Sequence, residues 1–323
     1  MDALDHRLLD EFQRDFPLIS RPFAVLGAAL GISETEVITR LTQLQAAGSI
    51  ARVGGTVRPN TAGASTLAAL AVPEAQIEVV AGVVNDEAGV NHSYLREDEW
   101  NLWFVATAPD ANGLQASLDR IAARTGLKVL SLPLLRAFNI DLGFRLTGAR
   151  AALTTDVAYD ESALHPTDRP LLQIMSAGLP LVARPFADVA ATLGWTEAQV
   201  LDRLQSLSTA RILTRIGVIV RHRAIGWAAN AMVVWDVAPQ DMETAGRSLA
   251  TLPGVTLCYQ RQTVPGAWRY GLFSMIHGQS RADALAVLDA ARALPALAHT
   301  DHRVLFSTRC FKQTGALLER TAA

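Results

Sequence analysis

The run Arg21-Pro22-Phe23-Ala24-Val25-Leu26-Gly27-Ala28-Ala29-Leu30-Gly31 returns further along the chain as Arg184-Pro185-Phe186-Ala187-Asp188-Val189-Ala190-Ala191-Thr192-Leu193-Gly194. The two copies stand 163 positions apart, as 185 does from 22. Val37, Arg40 and Leu41 return at the same spacing as Val200, Arg203 and Leu204. Arg52, Gly54, Val57 and Arg58 return as Arg215, Gly217, Val220 and Arg221. One constant offset over this span marks an internal duplication or fusion. The chain is therefore read as two copies of one plan, joined by a polar, proline-containing linker at 154–166.

Each copy opens with helices. Leu4, Leu8 and Leu9 have helical spacing, and Val37, Leu41 and Leu44 form an i, i+4, i+7 stripe. Ser33 with Glu36, and Thr196 with Gln199, fit capping boxes. Gly48 is a helix stop, and 50–57 reads as a small β wing. Together these elements predict a winged helix-turn-helix. A β-α-β-β-α-β unit follows. In the first copy strands are expected at 66–72, 90–96, 101–108 and 129–142, with helices at 73–84 and 110–124. The second copy repeats the order with strands at 231–237, 255–261, 270–277 and 304–311, and helices at 241–250 and 280–293. The fold class is α+β, each repeat a winged helix-turn-helix plus a ferredoxin-like domain. The boundaries are 1–62 and 63–153 for the first half, and 167–226 and 227–323 for the second. The two four-stranded sheets are expected to pack face to face as a pseudo-symmetric pair, leaving a cleft at the rim.

Composition narrows the function. Of 323 residues 50% are hydrophobic and 19% charged, with a formal charge of −2. That describes a globular chain with no general affinity for nucleic acid or membrane surfaces. No secretory signal or bilayer-spanning run is visible, and Cys258 and Cys310 form no metal or disulfide pattern, so a cytoplasmic setting and no metal site are expected. No nicotinamide, flavin or pyridoxal fingerprint is present.

A winged helix followed by this αβ unit is the plan of Lrp/AsnC-type regulators, so a transcription regulator, possibly haem-sensing, is the alternative reading. The presumed recognition helices speak against it. They carry Glu34, Glu36, Glu197 and Asp202 with only Arg40 and Arg203, and carboxylates repel phosphates. Absent or weak DNA binding is expected.

The chemistry sits on the hairpin of each half. In Asn91-His92-Ser93-Tyr94-Leu95-Arg96 strand alternation puts His92, Tyr94 and Arg96 on one face. In Cys258-Tyr259-Gln260-Arg261 it pairs Tyr259 with Arg261. Imidazole, phenol and guanidinium on one face suit a planar, anionic, partly apolar ligand. A solvated strand face would show the same alternation. These hairpins, with Asn101-Leu102-Trp103-Phe104 and with Trp268-Arg269-Tyr270 running on to His277-Gly278, resemble the two subunit types of siroheme decarboxylase, here fused. Leu70-Ala71-Val72-Pro73 and the run 139–144 match the first type. Arg221-His222-Arg223, the run 229–235 and Phe311-Lys312 match the second. Two departures stand out: Leu257, where some members carry a His, and Gly271, where an Asn is usual. They suggest two unequal pockets.

The resemblance implies removal of CO2 from ring acetate side chains of siroheme, leaving methyls, towards 12,18-didecarboxysiroheme as used in haem d biosynthesis. The only cofactor implied is the iron carried by the substrate. It implies a histidine proton donor, either His92 or His277, with Tyr94 and Tyr259 as the accompanying catalytic residues. Arg96, Arg261, Asn101, Trp103, Trp268, Tyr270, Arg221, His222 and Arg223 would hold the macrocycle. For the tryptophans, including Trp235, a place in the core fits as well. Partners implied are siroheme, other haem d biosynthesis proteins, and a further copy of the chain in a homo-oligomer.

Overall fold

The computed structural model describes residues 1–140 and 158–319. The first half runs α1 (Ala3–Glu11), α2 (Pro22–Leu30), α3 (Glu34–Ala46), β1 (Ile50–Val57), β2 (Ala64–Leu70), α4 (Ile77–Asp86), β3 (Val90–Arg96), β4 (Leu102–Ala108), α5 (Ala111–Thr125) and β5 (Leu130–Ile140). The second runs α6 (Arg169–Ala177), α7 (Pro185–Leu193), α8 (Glu197–Thr209), β6 (Leu213–Val220), β7 (Ala229–Trp235), α9 (Met242–Thr251), β8 (Val255–Arg261), β9 (Leu272–Gly278), α10 (Arg281–Arg292) and β10 (His302–Gln313). The repeat thus holds in element order as well as in sequence.

The helix ends follow from the sequence. Pro22 and Pro185 occupy first-turn positions, where a missing N–H costs nothing. Gly31 and Gly194 end α2 and α7 in the left-handed region, at φ 72° and 69°. The Thr196–Gln199 capping box forms in full. At Ser33 only half of it forms: Ser33 accepts from the Glu36 N–H, while the Glu36 carboxylate turns to Arg40, 3.0 Å away. The polar 158–166 stretch is docked, with the Asp160 N–H on the Ala210 carbonyl at 3.0 Å. Residues 154–157 of the expected linker, and those of the 139–144 motif from 141 onward, lie outside the described residues.

Two features go beyond the expected plan. The wings of the two halves pair with each other. β1 pairs antiparallel with β6 of the other half, from Ile50 opposite Val220 to Val57 opposite Leu213. Among the described residues neither strand has a partner in its own half, so the two helical modules share one sheet and one core that includes Leu41, Leu44, Val53, Met175, Leu204 and Val218.

The two larger sheets also do more than face each other. They join into a closed barrel in the order β10-β3-β4-β2-β5-β8-β9-β7. The joints are the two longest strands. β5 pairs through 130–133 with β2 and then passes to β8 from Leu134 onward. β10 pairs through 302–306 with β7 and then with β3 from Ser307 onward. A register break sits at each handover, Leu134/Arg136 and Ser307/Arg309. Irregularities of this kind let a strand turn a corner and change sheets. Closure removes four unpaired sheet edges.

Between the facing sheets lies an apolar layer from both halves: Trp103, Leu130, Leu132, Met232, Val234, Trp268, Tyr270, Phe273 and Leu305. The helices cover the outer faces in two further cores.

Candidate active site

The cavity of interest opens above this layer, between the barrel and the shared wing sheet. Its volume is about 370 Å³. Among the described residues its lining holds five arginines, Arg52, Arg58, Arg96, Arg215 and Arg261, and no Asp or Glu. A chain of net charge −2 therefore concentrates positive charge in one place. The rest of the wall is largely apolar, with Leu67, Phe104, Val105, Met232, Leu257, Phe273 and Met275.

The hairpin residues converge here. His92, Tyr94, Arg96, Trp103, Tyr259, Arg261 and His277 all line this one space. The expected pair of unequal pockets is replaced by a single cavity shared by the two halves. Barrel closure explains this, because it turns the inner faces of both hairpins toward the same interior.

The two Tyr–Arg pairs are near copies. The Arg96 guanidinium carbon lies 5.5 Å from the Tyr94 ring centre, and that of Arg261 lies 5.2 Å from the Tyr259 ring. Arg96 Nη1 donates to the Leu305 carbonyl at 3.0 Å, and Arg261 Nη1 to the Leu132 carbonyl at 3.0 Å. Burial pulls both guanidinium groups down to about 10, so they remain charged at neutral pH. Burial pushes Tyr259 up to about 12, and it raises Tyr94 further. Both phenols stay protonated at neutral pH.

Neither Arg96, Arg261 nor Arg52 has a carboxylate partner among the described residues, and the Nε of each is buried without a hydrogen bond. A buried, uncompensated cation is costly unless an anion arrives to pair with it.

A β-bulge shapes each histidine environment. The register of β3 breaks between Val90 and His92, and that of β8 between Val255 and Leu257. The bulged residues Asn91 and Thr256 are equivalent in the two halves. Asn91 Oδ1 lies 3.0 Å from His92 Nδ1, and Thr256 Oγ1 lies 2.8 Å from His277 Nδ1. Bulges recur beside active sites because they re-aim a side chain.

Several residues expected to hold the ligand sit elsewhere. Asn101 is spent on the backbone: its Oδ1 accepts from the Val72 N–H at 2.9 Å and its Nδ2 donates to the Val72 carbonyl at 2.8 Å. Trp268 and Tyr270 lie behind the wall, Trp268 edge-on to Trp103 at 5.2 Å and to Tyr270 at 5.2 Å. They support Trp103 without lining the cavity. Arg223 donates to the Ser307 carbonyl at 2.6 Å, behind Tyr94, and Arg221 does not line the cavity either. The His222 side chain lies outside the described residues.

The reading of the sequence missed Arg52, Arg58, Arg215, Asn230 and the C-terminal stretch through Gln313, Thr314, Ala316 and Leu318, all of which line the cavity. The repeat alone held the signal for Arg52 and Arg215, which are equivalent positions on the wings.

The bases of the helical modules are used internally. Arg40 pairs with Asp2 at 2.8 Å and Asp5 at 3.0 Å, and its counterpart Arg203 donates to Asp168 at 2.6 Å. Arg21 pairs with Glu34, and Arg184 with Glu197.

These features define a duplicated helix-turn-helix and AsnC-like protein with an arginine-lined cavity. A model of the AsnC-like ligand binding domain matches residues 62–139 and 224–312, and a model of the siroheme decarboxylase NirDL-like HTH domain matches 5–50 and 168–213. The chain is 60% identical to the siroheme decarboxylase NirDL subunit of Paracoccus pantotrophus, covering 100% of this chain and 99% of that one. It is 48% identical over 150 residues to the siroheme decarboxylase NirD subunit of Pseudomonas aeruginosa, covering 46% of this chain and 100% of the subunit. A crystal structure of siroheme decarboxylase NirDL in complex with an iron-uroporphyrin III analogue superposes with a TM-score of 0.68 at 29% identity, covering 98% of this chain and 94% of that one. The chain belongs to the siroheme decarboxylase family, in its fused two-subunit form.

Proposed function

We propose that this chain decarboxylates siroheme, converting ring acetate side chains to methyls in the cavity shared by its two halves. One observation carries the reading: Arg52, Arg96 and Arg261 line one partly apolar cavity, each has a buried Nε without a hydrogen bond, and none has a carboxylate partner among the described residues. A flat macrocycle bearing several carboxylates supplies the missing anions and covers the apolar wall.

The reaction consumes one proton per acetate. A proton added to a pyrrole carbon makes the ring an electron sink. The C–C bond to the carboxylate then breaks, its electron pair passes into the ring, and CO2 leaves. The exocyclic carbon takes up a proton to become methyl as the first proton is returned. The iron belongs to the substrate, and this sequence of steps calls for no other cofactor.

Arginine held on the departing carboxylate would stabilise the reactant more than the transition state. Arg96, Arg261 and Arg52 instead hold carboxylates that stay, which fixes the register of the macrocycle. Tyr94 and Tyr259, as protonated donors, assist the same placement. Trp103 and Phe273 exclude water from the reacting edge. We place the protein in the cytoplasm, alone or as a homo-oligomer.

The test is anaerobic incubation of the purified chain with siroheme, followed by mass spectrometry of the ligand. Successive mass losses equal to CO2 are expected. Tight binding with an unchanged ligand mass would reject the reading.

A further inference from the structure

We propose that Asn230 is a positioning residue that ties Arg96 of the first half to His277 of the second, holds His277 as its Nδ1–H tautomer, and so leaves His92 as the proton donor. The inference rests on the decarboxylase reading for its chemical meaning, but the hydrogen-bond logic stands without it.

The chain of contacts has only one consistent polarity. Arg96 Nη1 lies 3.2 Å from Asn230 Oδ1. A guanidinium can only donate, so the amide oxygen must face it. The Asn230 amide nitrogen then faces His277 Nε2 at 2.8 Å. An amide NH2 also can only donate, so His277 Nε2 must present its lone pair. The ring proton is therefore on Nδ1, 2.8 Å from Thr256 Oγ1. The Thr256 hydroxyl in turn donates a hydrogen bond to the Met275 carbonyl at 3.0 Å. In this assignment each of these donors meets an acceptor.

Placing a proton on His277 Nε2 sets N–H against NH2. Turning the amide over to relieve that clash sets NH2 against the Arg96 guanidinium. Arg96, Asn230, Thr256 and His277 are all buried, so water cannot easily mend either mismatch. Arg96 of one half thus dictates the protonation of a histidine in the other.

His92 is under a different constraint. Its Nδ1 faces an amide oxygen, Asn91 Oδ1, at 3.0 Å. Nδ1–H donates to that oxygen in both the neutral and the charged ring, so a proton gained at Nε2 costs nothing at this bond. His92 can therefore carry the extra proton that the first step spends. Giving it to the pyrrole carbon leaves His92 neutral and still bonded to Asn91, and the same proton returns from the ring to His92 as the exocyclic carbon takes one from solvent after CO2 has left.

The experiment reads the ring nitrogens directly. The full chain is labelled with ¹⁵N-histidine, and His277 is assigned by the signals lost in His277→Gln. In the wild-type chain at neutral pH, His277 is expected to show a protonated Nδ1 and a bare Nε2. In Asn230→Asp, a near-isosteric change, the carboxylate accepts from both Arg96 and the ring, so Nε2 is expected to gain a proton. Single-turnover decarboxylation, read at saturating siroheme, should then slow by about tenfold or more. A protonated Nε2 in the wild-type chain overturns the proposal whatever the variant does. A switched tautomer with an unchanged rate overturns the positioning role. If the wild-type ring is as expected but siroheme is never decarboxylated, the functional reading fails and the tautomer assignment stands.

Discussion

The two hairpins that face each other across the cavity are copies that have diverged in one respect. Tyr94 and Arg96 of the first match Tyr259 and Arg261 of the second in position, burial and cation–π geometry. The bulged residues Asn91 and Thr256 match as well. The histidines do not. The first half has His92 on β3 and Thr107 at the corresponding place on β4, while the second has Leu257 on β8 and His277 on β9. Thr107 is occupied otherwise, its Oγ1 accepting from the Leu317 N–H at 2.9 Å in the C-terminal segment. Anchoring was retained in both copies, while the imidazoles were redistributed to unlike positions around one space. Two equivalent sites would need the same residues twice. A single site that receives one ligand across the pseudo-dyad needs them only once.

That contrast breaks first at His92 and Leu257. His92→Ala is expected to slow single-turnover decarboxylation by about 100-fold or more, the usual range for loss of a general acid. Leu257→Ala, its positional counterpart, should slow it by less than about threefold, because only apolar contact is removed. Stopped-flow rates on both variants decide this, and equal losses would erase the distinction.

The wing arginines sharpen the contrast further. Arg215 is tied to its surroundings, with Nε on the Gln13 carbonyl at 2.6 Å and Nη2 on the Val218 carbonyl at 3.0 Å. Its equivalent Arg52 has a buried Nε without a partner. Arg52→Ala should weaken siroheme binding by about 1.5–3 kcal/mol, the worth of a charge-assisted hydrogen bond, with little change in Tm. Arg215→Ala should instead lower stability by about 1–3 kcal/mol by orphaning the Gln13 and Val218 carbonyls. Titration and thermal unfolding of the pair separate the two roles.

A smaller effect is expected at Asn101. Its two bonds to Val72 predict that Asn101→Ala costs about 1–2 kcal/mol of stability and leaves siroheme affinity unaltered. Gly271 occupies the matching place in the second half and has no side chain to make such a tie. The smallest effect is expected from the helical modules. With Arg40 and Arg203 held by acidic residues, a salt series on genomic DNA should show no sequence-selective binding tighter than about micromolar at physiological salt. Nanomolar selective binding would restore a regulatory role.

What could be read from sequence follows from the range of the interactions. The repeat, the helix ends and the Tyr–Arg faces depend on residues a few positions apart, where spacing and alternation speak directly. The closed barrel and the shared wing sheet depend on pairings such as Ile50 with Val220 and Ala137 with Tyr259. Nothing in one short stretch signals these. Asn230 was passed over because its partners, Arg96 and His277, lie 134 and 47 positions away. Trp268 and Tyr270 were misplaced because a large aromatic beside a cavity and one behind its wall read alike. Arg221 was misplaced for a related reason. It repeats Arg58, yet only Arg58 faces the cavity.

The central claim is that both halves build one site for one ligand. Equilibrium titration of the full chain with siroheme under anaerobic conditions, for the wild type, Arg96→Ala and Arg261→Ala, tests it most directly. The account predicts saturation at one siroheme per chain, with each substitution weakening that same binding event. Saturation at two per chain, or a loss confined to one of two separable binding events in each variant, would contradict it.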